Sequence, residues 1–346
     1  MNNYDVIIIG AGINGLTTAS ILGKKGKRVI VLESRDKIGG MASSIEFSPG
    51  FKCNLINDSI KWIDPRLVKL LDLKACGLEL VQPEILRIVF GKNGEHIAFH
   101  KNVDKTIDSI SKYSLEDAGK WKDFISYIDK LSHFLEKVYE LTPPKLPSVG
   151  IKEIFGMRSM FTPIRRQGTR GIVDLLRVAP MMMPELVDEW FENELLRSSI
   201  SIAGIHHHSF GPYAAGTGYN LLHQHVHGDG LFHNIQFTKG GTETFPSILK
   251  SCAESFNVEI KTSTKVISIN TDQNVCNGVS LESGEQIMAK QIVSSLDPNN
   301  TFLNLVGPSN LTPNFGTQIN NIEAIKFYKK LSNIYKKEII ISPIYR

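Results

Sequence analysis

Residues 5–40, DVIIIGAGINGLTTASILGKKGKRVIVLESRDKIGG, restrict the fold more than any other stretch of this 346-residue chain. Val6–Ile9 is an unbroken apolar run, the pattern of a strand covered on both faces in a parallel sheet. Gly10, Gly12 and Gly15 follow in G-x-G-x-x-G spacing, and a helix-compatible segment continues to about Lys25. Leu16, Ala19, Ser20 and Gly23 share one face of that helix and are mostly small, so it can lie close to a sheet. Arg28–Leu32 reads as a second strand, closed by Glu33, 18 residues after Gly15.

Each of these features has a use in holding a dinucleotide. Gly10 permits the tight turn, Gly12 lets the backbone approach a pyrophosphate, and Gly15 permits close helix–strand packing. The start of the helix offers unpaired N–H groups and a positive dipole end. The Glu33 carboxylate can accept the ribose hydroxyls and would repel a 2′-phosphate. A glycine-rich turn can also be bare. The complete strand–turn–helix–strand–acid context is what marks a nucleotide site.

The chain is long enough for two domains with a sizeable core. Its 42% hydrophobic and 21% charged residues describe an ordinary globular protein. A net charge of +4 leaves no electrostatic footprint for nucleic acid. No apolar run approaches the roughly 18 residues of a membrane span, so no transmembrane segment is expected. The N-terminus has neither a secretory nor a transit pattern. Cys53, Cys76, Cys252 and Cys276 are far apart, with no C-x-x-C, so no disulfide framework or dithiol motif is expected. A soluble protein of a reducing compartment follows: the cytoplasm, or the mitochondrial matrix if the source is eukaryotic.

The stretch ESRDKIGGMASS places Gly39–Gly40 six residues past Glu33, with Ser43 and Ser44 after them. A second glycine pair there brings the backbone close to another part of the same ligand, where NAD dehydrogenases turn directly into a helix. It resembles the R-x-G-G-x-x-S signature of the flavoprotein superfamily that holds amine oxidases and phytoene desaturases. Arg35 stands further from the glycines than the signature's Arg, and Met41 occupies a position where a second Arg often sits. The resemblance implies FAD as the cofactor. Its expected contacts are Gly10, Ala11, Gly12, Ile13, Asn14, Gly15, Glu33, Ser34, Gly39, Gly40, Met41, Ala42 and Ser43.

Further along, Ile60–Cys76 reads as a helix ending at Gly77, and residues 85–99 as a hairpin around Asn93–Gly94. Ser114–Leu141 has apolar residues at helical spacing, stopped by Pro143, Pro144 and Pro147. More helices are expected across 151–200. After Gly240–Gly241 come a helix and strands at Val258–Lys261, Val266–Asn270, Gly278–Leu281, Gln286–Ala289 and Gln291–Ser294. These return the chain to the N-terminal sheet, with a strand meander on top.

The chain thus resembles the phytoene desaturase-like branch of FAD-dependent oxidoreductases. Within it, the likeness is to the group named for pyridine nucleotide-disulphide oxidoreductase domain-containing protein 2 and its bacterial NAD(P)/FAD-dependent relatives. DEWFENELLRSSIS (188–201), GPYAAGTGYNLLHQHVHG (211–228), FTKGGTETFPSIL (237–249) and SLDPNNTFLNLVG (295–307) carry the likeness beyond the N-terminal motifs. The implied fold is α/β: a Rossmann-like, glutathione reductase-type FAD-binding domain, discontinuous over 1–75 and 236–305. An inserted mixed α+β substrate or cap domain spans 76–235, and a truncated tail spans 306–346. Such flavoproteins continue well past the SLDP segment to a late Gly-Asp element at the flavin. Nothing after Asp297 matches it, so a fragment, a frameshifted gene or a split protein is expected.

The resemblance also implies the chemistry: flavin N5 takes a hydride from a substrate C–H bond, in dehydrogenation of an apolar or amine-type small molecule. The alternative is a catalytically incomplete flavin-binding protein, acting as a split half or regulator with a second polypeptide that supplies the missing part. Val266 is placed near the adenine by resemblance, and a plain strand-core position explains it equally well. Met181–Met183, Trp190 and Phe191 could line an apolar tunnel, although a helical core explains them better. On a strand, His223, His225 and His227 would share one face, with His206–His208 upstream. No carboxylate or cysteine sits at metal spacing, so no metal is expected. His223 is the first candidate for a group on the flavin's substrate side.

Overall fold

The computed structural model describes residues 4–54, 56, 59–140, 173–206, 210–228, 230–232, 235–273 and 275–322. Pro143, Pro144, Pro147, His207, His208 and the tail past Ile322 lie outside the described residues. The chain divides into two compact units. One comprises Met1–Ser59, Ile63–Leu80 and Phe237–Arg346, and the other Ile60–Trp62 and Val81–Gln236.

The first unit is built on a six-stranded sheet. Its strands are β1 (Tyr4–Ile9), β2 (Val29–Leu32), β3 (Glu259–Lys261), β4 (Val266–Asp272), β5 (Val275–Leu281) and β6 (Gln286–Ser294), in the order β4-β5-β6-β1-β2-β3. The strands β6, β1, β2 and β3 run parallel, whereas β4, β5 and β6 form an antiparallel meander. The two halves meet within β6. Gln286, Ile287 and Met288 pair with β5, and the register then passes to β1, from Tyr4↔Ala289 to Ile9↔Ser294.

The sequence suggests two strands here and a meander lying on top. Instead one strand runs through Lys290, and the meander extends the same sheet. Lys290 stays exposed and reaches Asp5 at 3.2 Å, so its charge does not interrupt the ladder.

The core of this unit follows from the hydrophobic runs. Val6–Ile9 and Val29–Leu32 are wholly buried, as central parallel strands must be when helices cover both faces. The first helix, α1 (Ile13–Lys24), buries Gly15, Leu16, Ala19, Ser20 and Gly23. Its small face lets a second helix, α2 (Thr244–Ser255), come near enough for Ser20 Oγ to donate to the Leu249 carbonyl at 3.2 Å. A β-carbon on Gly23 would lie 2.6 Å from Val258 Cγ2, so glycine is required there by packing.

The helix expected over Ile60–Cys76 is shorter and spans only Pro65–Leu71. Asp64 caps it by accepting from Arg66 N–H at 2.8 Å, and Pro65 sits at the first helical position, where its missing N–H costs nothing. Asp72 ends it in the left-handed region at φ 49°.

The second unit is mixed α+β. Strands Ile85–Phe90 and His96–His100 form the expected hairpin, turning through Lys92–Gly94 with Gly94 at φ 81°. Helices Val103–Ser111, Leu115–Tyr139, Met183–Asp188, Glu194–Ile205 and Thr217–His225 pack around Phe99, Trp121, Phe124 and Phe191, all buried. Ring centroids in this cluster lie 5.0–6.0 Å apart in tilted and edge-on arrangements, which favour aromatic pairs by roughly 0.5–1.5 kcal/mol each.

Ser114 caps the long helix by accepting from Asp117 N–H at 3.1 Å. The fully buried Asp117 carboxylate then accepts from the N–H groups of Glu192 and Asn193, at 3.0 and 2.8 Å. One acid thereby fixes the entry to the Glu194–Ile205 helix.

Met183 and Phe191 are core residues, with Met181 and Trp190 packed against the same cluster. Gly204 is held to glycine by Met183, whose Sδ would lie 2.2 Å from an added β-carbon. Met183 is therefore core, with Met181 packed against the core.

Candidate functional site

Strand β1 delivers the chain into the bend. Gly10 adopts φ +96° and donates its N–H to the Leu32 carbonyl at 2.8 Å, tying the bend to the end of β2. A β-carbon on Gly10 would meet Ser295 Oγ at 2.6 Å. One on Gly15 would sit 2.0 Å from the Gly10 carbonyl oxygen, inside any permissible contact. Gly15 is thus glycine because α1 begins directly on the turn. Gly12 differs: it caps α1 at φ −76°, and an added β-carbon there would find Gly40 Cα at 3.9 Å as its nearest neighbour. The approach to Gly12 is open from one side.

Gly12 has no side chain to cap the first turn, and that turn, formed by Ile13, Asn14 and Gly15, carries no acid. Its N–H groups and the positive end of the helix dipole therefore suit an anion.

The second glycine pair folds back onto the first bend. Gly39 N–H donates to the Ala11 carbonyl at 2.8 Å, and Gly12 and Gly39 form a short parallel bridge. Gly39 sits at φ +108° and opens the short turn Gly40–Ala42. A β-carbon on Gly40 would come within 3.2 Å of Gly12 Cα, so the two backbones approach as only glycines allow. Ser43 Oγ donates to the Gly40 carbonyl at 2.7 Å, Ala42 is buried beneath, and Met41 is exposed.

Glu33 turns its carboxylate into the bend. The residue is only 7% exposed, yet both oxygens are held: Oε2 accepts from Ala11 N–H at 2.8 Å, and Oε1 from Arg35 N–H at 3.0 Å. Ser34 Oγ reaches Oε1 at 3.4 Å. An ionised carboxylate has about four lone-pair sites, so acceptor capacity remains on Oε2 for a ribose hydroxyl. The Arg35 guanidinium lies 3.7 Å from Glu33 and donates to the Gly40 carbonyl at 3.2 Å. The arginine displaced from the signature thus still ties the acid to the glycine pair.

A cavity of about 340 Å³ opens beside the bend, within the size range of small-molecule sites. Gly10, Glu33, Ser34 and Val266 line it, together with Leu296 and Asn304. Val266 begins β4 and is buried, so its strand-core position and its place on the cavity wall are one and the same.

Three residues of the site are not among the contacts expected from the sequence. Ser295 Oγ donates to the carbonyls of Ile9 and Gly10, at 3.0 and 3.1 Å, and clamps the bend from below. Thr264 and Lys265 close the cavity beside Val266. The signal for Ser295 was a small hydroxyl residue just past a strand that runs parallel to β1, visible only once β6 is paired.

The histidine segment departs from expectation. Thr217–His225 is a helix, so His223, His225 and His227 do not share a face. His225 is buried with Nδ1 at 2.6 Å from the Leu221 carbonyl. His227, past the helix at φ 63°, stacks on Trp62 with centroids 3.8 Å apart and meets Glu136 at 3.0 Å. His223 is exposed, with Nδ1 2.7 Å from the Tyr139 hydroxyl. That hydroxyl also meets Tyr219 at 2.6 Å, and burial together with this bond pushes the Tyr139 phenol up, so it stays protonated. Among the described residues no group of three His, Cys, Asp or Glu could hold a metal ion, and no helix is long and apolar enough to cross a membrane.

The geometry fits a dinucleotide carrying an adenosine diphosphate half. An open, uncapped helix start stands over two interlocked glycine turns, an acid is aimed at the bend, and a cavity lies beyond the acid.

Comparison with known proteins agrees. The family model for flavin-containing amine oxidoreductase matches residues 13–329. Pyridine nucleotide-disulfide oxidoreductase domain-containing protein 2 of Rattus norvegicus is 26% identical over 337 residues, covering 92% of this chain and 58% of the relative. A phytoene desaturase of Fusarium fujikuroi is 26% identical, covering 95% and 55%. The solved structure of cyclohexylamine oxidase from Brevibacterium oxydans IH-35A shares the fold at a TM-score of 0.54 and 18% identity, covering 92% of this chain and 62% of that one. The chain spans a little over half the length of these curated relatives. The flavin this family holds is a dinucleotide, FAD, which is the form the double glycine turn and Glu33 suit. With this match spanning most of its length, the chain belongs to the flavin-containing amine oxidoreductase family.

Proposed function

We propose that this chain is the FAD-binding and substrate-domain part of an oxidoreductase that dehydrogenates or desaturates an apolar or amine-type small molecule. The observation that carries this reading is the contact of the two glycine turns, with Gly39 N–H on Ala11 and Gly40 against Gly12, beside the inward Glu33 carboxylate.

In this reading the N–H groups of Ile13, Asn14 and Gly15 hold the diphosphate. Glu33, braced by Ala11 and Arg35, accepts the ribose hydroxyls, and Gly39–Ser43 lie along the next part of the cofactor. Ser34 and Val266 border the adenosine end. When bound, the flavin supplies a two-electron acceptor for a substrate C–H bond. The protein's work is to fix the dinucleotide and align the substrate. No side-chain acid or base is required of it, and His223 stands as the candidate on the substrate side. The first unit is the cofactor domain and the second the substrate domain.

Support for the substrate class comes from the family and from what its similar members are called: a phytoene desaturase and a cyclohexylamine oxidase. A flavin-binding chain without turnover is less favoured, because the family is one of oxidoreductases. The four cysteines are free thiols, in keeping with work in the cytoplasm or, for a eukaryotic source, the mitochondrial matrix.

The test is purification followed by anaerobic titration. FAD retained by the chain and bleached by an amine or polyene is the expected result. A chain that stays colourless with added FAD overturns the reading, and colour only on adding a second polypeptide restricts it to a split protein.

A further inference from the structure

Cys76 and Cys252 are remote in sequence, yet both thiols donate to one acceptor, the main-chain carbonyl of Leu71. Cys252 Sγ lies 3.5 Å from that oxygen and Cys76 Sγ 3.9 Å. Leu71 is the last residue of its helix, with Asp72 left-handed behind it, so its carbonyl is one of the orphan acceptors of a helix end. The Cys76 side chain is also a close neighbour of the Cys252 thiol and helps raise it. Lys24 donates its ammonium to the neighbouring Leu70 carbonyl, which places a cation beside the pair.

The two cysteines differ in access. Cys252 is buried on α2, whereas Cys76 is half-buried in the turn that follows the helix. Burial pushes the Cys252 thiol up to about 12, so it waits as a neutral S–H beside a sulfur that solvent can reach.

We propose that Cys76 and Cys252 form a modification site, a dithiol that closes to an intramolecular disulfide when it meets hydrogen peroxide. In the first step the Cys76 sulfur attacks the peroxide oxygen. The O–O bond breaks, Cys76 becomes a sulfenic acid, and one water leaves. In the second step the Cys252 sulfur attacks the Cys76 sulfur. The S–O bond breaks, and the departing hydroxide takes the Cys252 proton as a second water. Two thiols lose two electrons in all, and the peroxide is reduced to two waters. Two sulfurs held on one carbonyl oxygen are neighbours, which is the proximity the second step requires.

The assignment makes a selective claim. Cys53 is the exposed cysteine and Cys276 is half-buried, so accessibility alone would direct oxidation to Cys53. Proximity directs cross-linking to the other two.

The experiment treats the purified chain with hydrogen peroxide, alkylates it under denaturing conditions, and maps tryptic peptides without reduction. The expected product joins peptide 75–87 to peptide 251–261, weighs two hydrogens less than their sum, and separates on reduction. Of the four thiols, the two in this pair are the ones lost together. In Cys252→Ser the Cys76 sulfenic acid has no partner and is trapped by dimedone. If that variant fails to fold, the wild-type map decides alone. Cys76 carried on to sulfinic acid while Cys252 alkylates as a free thiol overturns the proposal, as does peroxide consumed only at Cys53.

Discussion

Gly12→Ala separates the role of the bend in folding from its role in binding. Gly12 sits at φ −76°, a conformation alanine adopts freely, and an added β-carbon has nothing nearer than Gly40 Cα at 3.9 Å. The fold therefore tolerates the methyl, at a cost of about 1 kcal/mol or less for replacing glycine by alanine at a helix start. The same methyl intrudes on the open approach between the two glycine turns. A diphosphate pushed outward by it loses at least one hydrogen bond to a charged group, about 1.5–3 kcal/mol. That is a roughly 10- to 100-fold rise in the FAD Kd. Gly15→Ala gives the contrast. Its β-carbon would lie 2.0 Å from the Gly10 oxygen, so the helix must move off the strand end. Stability then falls by about 1–3 kcal/mol, the usual cost of overpacking, and FAD is lost with it. Flavin fluorescence titration and thermal unfolding on both variants resolve the two effects. A Gly12→Ala protein that binds FAD as the wild type does refutes the reasoning.

Three further outcomes are expected. Glu33→Gln keeps an acceptor for Ala11 N–H but turns an amide toward the Arg35 N–H, costing about 1 kcal/mol of stability and raising the FAD Kd roughly tenfold; calorimetric titration checks it. Asp117→Ala strips two N–H groups in the second unit of their buried acceptor and lowers stability by about 3 kcal/mol, read from denaturant unfolding, while Asp117→Asn recovers part of the loss. Because the folded Cys252 thiol is raised from its ordinary 9.0 to about 12, the folded state keeps a proton that the unfolded chain releases above pH 9. Its contribution to stability is complete below pH 9 and is lost as pH rises toward 12; Tm measured across that window falls more steeply for the wild type than for Cys252→Ser.

The parallel core was legible because its signals are local. Val6–Ile9, the glycine spacing and Glu33 each declare a conformation within a few residues, and the structure assembles them as one bend. The failures concern features settled at a distance. His223, His225 and His227 alternate like a strand, but Asn220 is buried and donates to the Gly204 carbonyl, and Leu221 and Leu222 are buried too, so packing imposes a helix on a weak local pattern. Ile60–Cys76 looked like one helix because its apolar spacing outweighed Asp64–Pro65, a start signal that the structure obeys. The clamp by Ser295 and the meeting of Cys76 with Cys252 depend on chain segments far apart in sequence. No residue spacing encodes them.

Hydrogen–deuterium exchange with and without FAD tests the central claim at the atoms involved. If the proposal holds, binding slows exchange in peptides covering Gly10–Leu16 and Gly39–Ser44, the two glycine turns that would lie against the cofactor, and leaves the hairpin at 85–100 unchanged. FAD that binds while exchange across both glycine turns stays as fast as before would place the dinucleotide elsewhere and contradict the account.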